Sequence, residues 1–281
     1  MGPLVTTQWL ADNLGAADLS VIDASMHLPT AGREARPEFE AGHIPGARFL
    51  DMASFTDPAS DVPSALPDAA SFAARMQIMG VTHQSRVVFY DDSDIHPSAR
   101  AWFIARMHGM TQVAVLDGGL AKWRAEGRAV ETGPAASATG DIAPSPGPGT
   151  VRSKQDMLAN LSSGAEQVVD ARGAARFTGE SGDFRGGVAE GHIPGSRNLP
   201  HGLLFNPDNT FKDETGLRAA FADAGIDLER PLVATCGSGV TASVVLFAAH
   251  MLGKDDTALY DGSWSEWGAD PDTPKATGAA S

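Results

Sequence analysis

Short aliphatic runs closed off by turn residues recur along the chain. Val21-Ile22, Val87-Val88-Phe89 and Val113-Ala114-Val115-Leu116 alternate with longer stretches of helical character at 69–79 and 98–108. The runs lack the every-other-residue polarity of a half-solvated sheet, so they read as strands buried on both faces. An apolar strand, a helix and another apolar strand predict right-handed crossovers and a parallel sheet covered by helices on both sides. The pattern resumes beyond position 150, with Val168-Val169, Leu232-Val233-Ala234 and a helix over 241–252. The fold class is α/β.

The second half also repeats the first in detail. Gly42-His43-Ile44-Pro45-Gly46-Ala47-Arg48 is answered by Gly191-His192-Ile193-Pro194-Gly195-Ser196-Arg197. Val21-Ile22-Asp23 answers to Val168-Val169-Asp170, Asp117-Gly118-Gly119 to Asp261-Gly262-Ser263, and Trp123 to Trp267. The offsets lie between 144 and 149 positions, the size of a domain rather than of a solenoid repeat. This is a tandem duplication, with copies at 1–133 and 151–281. Pro, Gly, Ala and Ser crowd the stretch between them, so 134–150 is read as an extended, solvated linker, and 270–281 as a loose tail.

Composition narrows the function. The 281 residues carry a formal net charge of -14, which repels polyphosphate, so no nucleic-acid partner is expected. No apolar run reaches the roughly 18 residues that span a bilayer, and Met1 to Thr7 lack a charged, then apolar, export signal. A cytoplasmic protein with no membrane partner is expected. A single cysteine excludes an intramolecular disulfide and a Cys-rich zinc site.

That cysteine, Cys236, follows the strand Leu232-Val233-Ala234-Thr235 and opens the turn Gly237-Ser238-Gly239 before a helix. Ligands of open α/β sheets bind at this carboxyl edge. Glycines there let backbone N–H groups face the sulfur, and a helix N-terminus adds its dipole. Such surroundings lower a cysteine pKa from ~8.5 to about 3.5–7.5, giving a nucleophilic thiolate at neutral pH. The plainer reading of a lone intracellular cysteine is a small buried hydrophobe, but that role belongs mid-strand or mid-helix. In copy one the corresponding position holds Asp91, which cannot carry sulfur.

Cys236-Gly237-Ser238-Gly239-Val240-Thr241-Ala242 resembles the active-site loop of 3-mercaptopyruvate sulfurtransferases. Tyr260-Asp261-Gly262-Ser263-Trp264 with Glu266-Trp267 resembles the segment that follows it, and the duplicated Gly-His-Ile-Pro-Gly motifs resemble those of two-domain rhodanese relatives. The resemblance implies two rhodanese-like domains, each a parallel five-stranded sheet flanked by helices, with only the second catalytic. It also implies a persulfide on Cys236, cradled by Gly237, Gly239, Val240 and Thr241, with Ser238 acting near the keto group or in proton transfer. Thiosulfate-specific relatives carry basic residues right after the cysteine; Gly237 and Ser238 stand there instead and favour a thiol donor whose anionic group lies farther off.

An α-keto acid needs its carboxylate forked by arginine. Arg176 and Arg185, between Asp170 and the second Gly-His-Ile-Pro-Gly motif, resemble the family's substrate-binding pair, whereas Arg33 and Arg36 of copy one have no sulfur to serve. In several relatives the serine is joined by Asp and His from the first domain; here those positions hold Ala53 and Ser64, so a Ser-His-Asp relay is not expected. His43 and His192 each occupy the same turn motif of a separate copy and read as structural, and Asp91-Asp92-Ser93-Asp94 reads as a solvated loop. No metal and no cofactor are implied.

Sulfur would thus pass from mercaptopyruvate to Cys236 and on to cyanide, a small thiol or a thioredoxin-like protein. Three alternatives compete. Thiosulfate could be the donor. A cysteine-dependent phosphatase would need an arginine at the loop's end, where Thr241, Ala242 and Ser243 stand. A non-catalytic binding module would describe copy one.

Overall fold

The computed structural model describes residues 1–62 and 64–280. It divides into two compact units, Met1–Pro58 with Leu66–Pro148 and Asn206–Phe211, and Ala59–Ala65 with Gly149–Phe205 and Lys212–Ser281.

The first unit runs β1 (Leu4–Val5), α1 (Thr7–Asn13), β2 (Leu19–Asp23), α2 (Ala35–Ala41), β3 (Arg48–Phe49), α3 (Ala69–Ile78), β4 (Arg86–Tyr90), α4 (Ser98–Met107), β5 (Val113–Leu116) and α5 (Gly119–Ala125). Its sheet has the order β1-β5-β4-β2-β3, every pair parallel. All four residues of β5 and the last four of β2 and β4 are buried, which explains their lack of polar alternation. Val21, Val88, Tyr90, Leu116 and Trp123 meet in one core cluster.

The second unit repeats the plan with β6 (Thr150–Arg152), α6 (Lys154–Ser163), β7 (Gln167–Asp170), α7 (Ala174–Thr178), β8 (Arg197–Asn198), α8 (Glu214–Asp223), β9 (Leu232–Thr235), α9 (Val240–Met251), β10 (Thr257–Tyr260) and α10 (Ser263–Trp267). Its order, β6-β10-β9-β7-β8, is that of the first sheet, again all parallel. The sequence places its own helix starts. Ser153 and Asp156 form a reciprocal capping box on α6, and Asp213 accepts from the Gly216 amide to start α8. In each unit the central strand ends in the loop of interest: in the first sheet β4 delivers Asp91, and in the second sheet β9 delivers Cys236.

Two expectations about connecting segments need correction. The linker is extended and largely exposed, as expected, but it is not a free connector: Gly140 and Ile142 donate to the carbonyls of Gln77 and Val81, Ser145 and Gly147 to those of His108 and Met107, and the Ile142 side chain is buried. Segment 134–148 therefore packs as part of the first unit. The tail is not loose either. Ala276 and His192 exchange both backbone hydrogen bonds, Gly278 donates to Thr178, and the Trp267 indole donates to Pro274. Backbone pairing to another segment leaves no compositional trace, so Pro and Gly content misread both stretches.

Candidate active site

Cys236 is the first residue past β9 and is 2 % exposed. Its peptide is held from the other side by the start of α10: the Cys236 amide donates to Ser263 Oγ at 3.2 Å, Ser263 Oγ donates to the Tyr260 carbonyl at 2.9 Å, and the Cys236 carbonyl accepts from the Trp264 amide at 2.9 Å. The Gly237 carbonyl accepts from Ser265 at 2.9 Å. Ser263 makes these contacts from a left-handed backbone, φ 49°, a region that normally costs a non-glycine residue about 1–2 kcal/mol.

Gly239, at φ 77°, turns the chain into α9. Among the described residues, the amides of Gly237, Ser238, Val240 and Thr241 donate to no protein acceptor. They are the unfilled donors of a helix entrance, next to the only sulfhydryl. Ser238 is half-buried at the tip of the turn.

The first unit shows what the equivalent position does when filled. Asp91 turns its own carboxylate onto the start of α4, Oδ2 accepting from the Ser98 amide at 3.0 Å and Oδ1 from the Ser93 amide at 3.3 Å. Burial pushes its carboxyl up to about 6, against the pull of those amides. The loop read as a solvated carboxylate cluster is instead built inward at Asp91, while Asp92 pairs with Arg33 at 3.2 Å and Arg124 at 3.6 Å. Arg36 lies over the Phe49 ring instead.

Both predicted substrate arginines come to one carboxylate in the second unit. Arg185 Nη1 donates to Asp183 Oδ1 at 3.0 Å and Oδ2 at 3.2 Å, and Arg176 Nη1 lies 3.9 Å from Oδ2. The Asp183 side chain is 2 % exposed, whereas the arginines keep a quarter or more of their side-chain surface open. The Arg185 guanidinium stacks 4.3 Å from the Phe184 ring centre and lies against the cysteine loop, where a β-carbon on Gly237 would stand 3.0 Å from Nη1. A side chain at position 237 would therefore press on the guanidinium and make it shift.

The segment carrying these residues is pinned at both ends. Phe177, on α7, stacks on His192 at 3.8 Å and accepts through its carbonyl from the His192 ring at 2.8 Å. His43 makes the same pair of contacts with Phe39, so both histidines are structural, as their motif predicts. At the far end Ala189 donates to the Gly268 carbonyl and accepts from the Trp264 indole. Buried Arg172, which sequence reasoning missed, forks onto Asp170, donates to the Gly191 carbonyl at 2.8 Å and lies 4.5 Å over the Trp264 ring. Asp183 and Ser263 were missed as well. The Asp-x-Arg spacing was visible in the former case; nothing in sequence marks a left-handed serine. No cluster of three or more potential metal ligands occurs among the described residues.

With this geometry in hand, similarity to known proteins is informative. The rhodanese-like domain matches twice, at residues 6–126 and 153–270. The chain belongs to the rhodanese-like domain family. Among rhodanese relatives, it is 40 % identical over 270 residues to the 3-mercaptopyruvate sulfurtransferase of Mus musculus, covering 94 % of this chain and 91 % of that protein. It is 36 % identical to the 3-mercaptopyruvate sulfurtransferase of Escherichia coli K12, covering 96 % of each, and 36 % identical to a thiosulfate sulfurtransferase of Cricetulus griseus. The crystal structure of SseA from Escherichia coli, which describes the rhodanese fold and mechanism of 3-mercaptopyruvate sulfotransferases, superposes with TM-score 0.85 at 35 % identity, covering 95 % of this chain and all of that one.

Proposed function

We propose that this rhodanese-family enzyme is a 3-mercaptopyruvate sulfurtransferase with Cys236 as its sulfur carrier. The Cys236 thiolate attacks the thiol sulfur of mercaptopyruvate, the carbon–sulfur bond breaks with its electron pair leaving as the pyruvate enolate, and the enolate takes a proton to become pyruvate. The sulfur gained makes a persulfide, which an acceptor thiol or cyanide then removes, restoring the thiolate. The observation that carries this reading is the set of unpaired amides of Gly237, Ser238, Val240 and Thr241 beside a sole cysteine, in a place where the sister unit's amides are filled by a carboxylate. An anion is the natural occupant, and a persulfide supplies one.

Arg185 and Arg176 grip the donor's carboxylate in this reading, and the partial exposure of both side chains supports it. Ser238, half-buried at the turn's tip, acts near the keto oxygen in this reading. The donor and acceptor are small molecules, with a thioredoxin-like protein as a further candidate acceptor and the cytoplasm as the setting. No helix among the described residues is long and apolar enough to cross a membrane.

Thiosulfate is the second reading, favoured by the thiosulfate sulfurtransferase among the relatives. The absence of a cation directly after Cys236 argues that it is the poorer donor. Steady-state rates with the two donors decide: kcat/KM is expected to be higher with mercaptopyruvate. Arg185→Ala and Arg176→Ala should each raise its KM by about tenfold or more, the loss of one charged hydrogen bond. Equal or better use of thiosulfate would reverse the donor assignment, and unchanged KM in both variants would remove the pair from the site.

A further inference from the structure

Asp183 has no assigned part in sulfur transfer, yet among the described residues its buried side chain is the carboxylate paired with both open arginines. It holds Arg185 twice over, since its Oδ1 also accepts the Arg185 backbone amide at 3.0 Å. Phe184 supports the guanidinium from its ring face and Gly237 leaves room for it against the cysteine loop. The carboxylate therefore fixes where Arg185 stands and subtracts one charge from the pair, so two guanidiniums and one carboxylate leave a single net positive charge. With the Cys236 thiolate left to the loop amides, an arginine cluster with one surplus charge balances a donor with one negative charge. Mercaptopyruvate is a monoanion; thiosulfate is a dianion that would leave a negative charge unmatched beside the cysteine loop.

Resting on the sulfurtransferase reading above, we infer that Asp183 is a positioning and specificity-determining residue: by offsetting one charge of the Arg176–Arg185 pair it selects monoanionic over dianionic sulfur donors. Two substitutions change that charge in opposite directions. Asp183→Asn raises the surplus to two and frees donors on both guanidiniums; Arg176→Gln lowers it to zero while leaving the Asp183–Arg185 pair in place.

The measurement is the ratio of kcat/KM for thiosulfate to kcat/KM for mercaptopyruvate in the wild type and both variants. The ratio is expected to rise about tenfold in Asp183→Asn and to fall in Arg176→Gln, on the scale of one charge interacting over several ångströms at a protein surface. Asp183→Glu should restore the wild-type ratio. A readout independent of turnover is protection of Cys236 from iodoacetamide: sulfate, a dianion without transferable sulfur, should protect Asp183→Asn at lower concentration than it protects the wild type, and pyruvate, with a single charge, should gain less than sulfate does. A purely structural Asp183 would depress both donors together and leave the ratio flat, which overturns the inference. Should Asp183→Asn not fold, a flat ratio in Arg176→Gln overturns it alone. A wild type that gains no sulfur from either donor would instead defeat the functional reading.

Discussion

At the scale of single residues, the site rests on contacts that exclude substitutions of ordinary kinds. Ser263 is the clearest case. Its hydroxyl accepts from the Cys236 amide and donates to Tyr260, and it does so at φ 49°. Ser263→Ala keeps the strained backbone and leaves the Cys236 amide buried without an acceptor, a loss of about 1–3 kcal/mol. Ser263→Gly loses the same hydrogen bond but relieves the backbone. Thermal unfolding should therefore rank wild type above Ser263→Gly, and Ser263→Ala lowest; an alanine variant as stable as the glycine one would show that the backbone is not under strain. Cys236 could be found in the sequence because it is the sole cysteine and follows an apolar strand. The Asp183-x-Arg185 spacing was visible but did not single Asp183 out, since a carboxylate two residues before an arginine is commonplace until the fold buries it against a second one.

At the scale of elements, the two strand-to-helix turns are the same device with different contents. β9 into α9 presents empty amides, whereas β4 into α4 fills them with Asp91. That filling has a cost that pH exposes. Burial raises the Asp91 carboxyl from the usual 3.8 to about 6, and burial raises neighbouring Asp23 to about 6 as well, with a smaller contribution from the charge on Asp91. Below about pH 4 both folded and unfolded chains hold these protons. As pH rises toward 6 the unfolded chain releases them first, so the stability contributed by this turn falls through that window and is level above it. Asp91→Asn, which still offers an oxygen to the amides, escapes the effect. Its stability relative to wild type, from chemical denaturation, should climb by up to about 3 kcal/mol between pH 4 and 6.5 and then stay flat; a difference that does not vary with pH would contradict a buried, raised Asp91. Apolar runs revealed which strands exist, because burial on both faces is written into composition. The linker and tail were misread because their order comes from backbone pairing with distant segments, to which side-chain composition is blind.

At the scale of the whole molecule, duplication explains the economy of the sequence. Both sheets share one strand order, both Gly-His-Ile-Pro-Gly turns seat a histidine on a phenylalanine, and only the second copy carries a cysteine. The repeat was readable directly from paired motifs, and similarity at 36–40 % identity over nearly the full length of sulfurtransferases agrees with it. The donor's identity was read from the loop's missing cation and from the arginine pair. The most direct test is the intact mass of the protein after brief exposure to mercaptopyruvate with no acceptor present. One added sulfur on the wild type, none on Cys236→Ser, and its removal by cyanide are the expected results. A wild type whose mass is unchanged, or a Cys236→Ser variant that gains the same sulfur, would contradict the claim that Cys236 carries it.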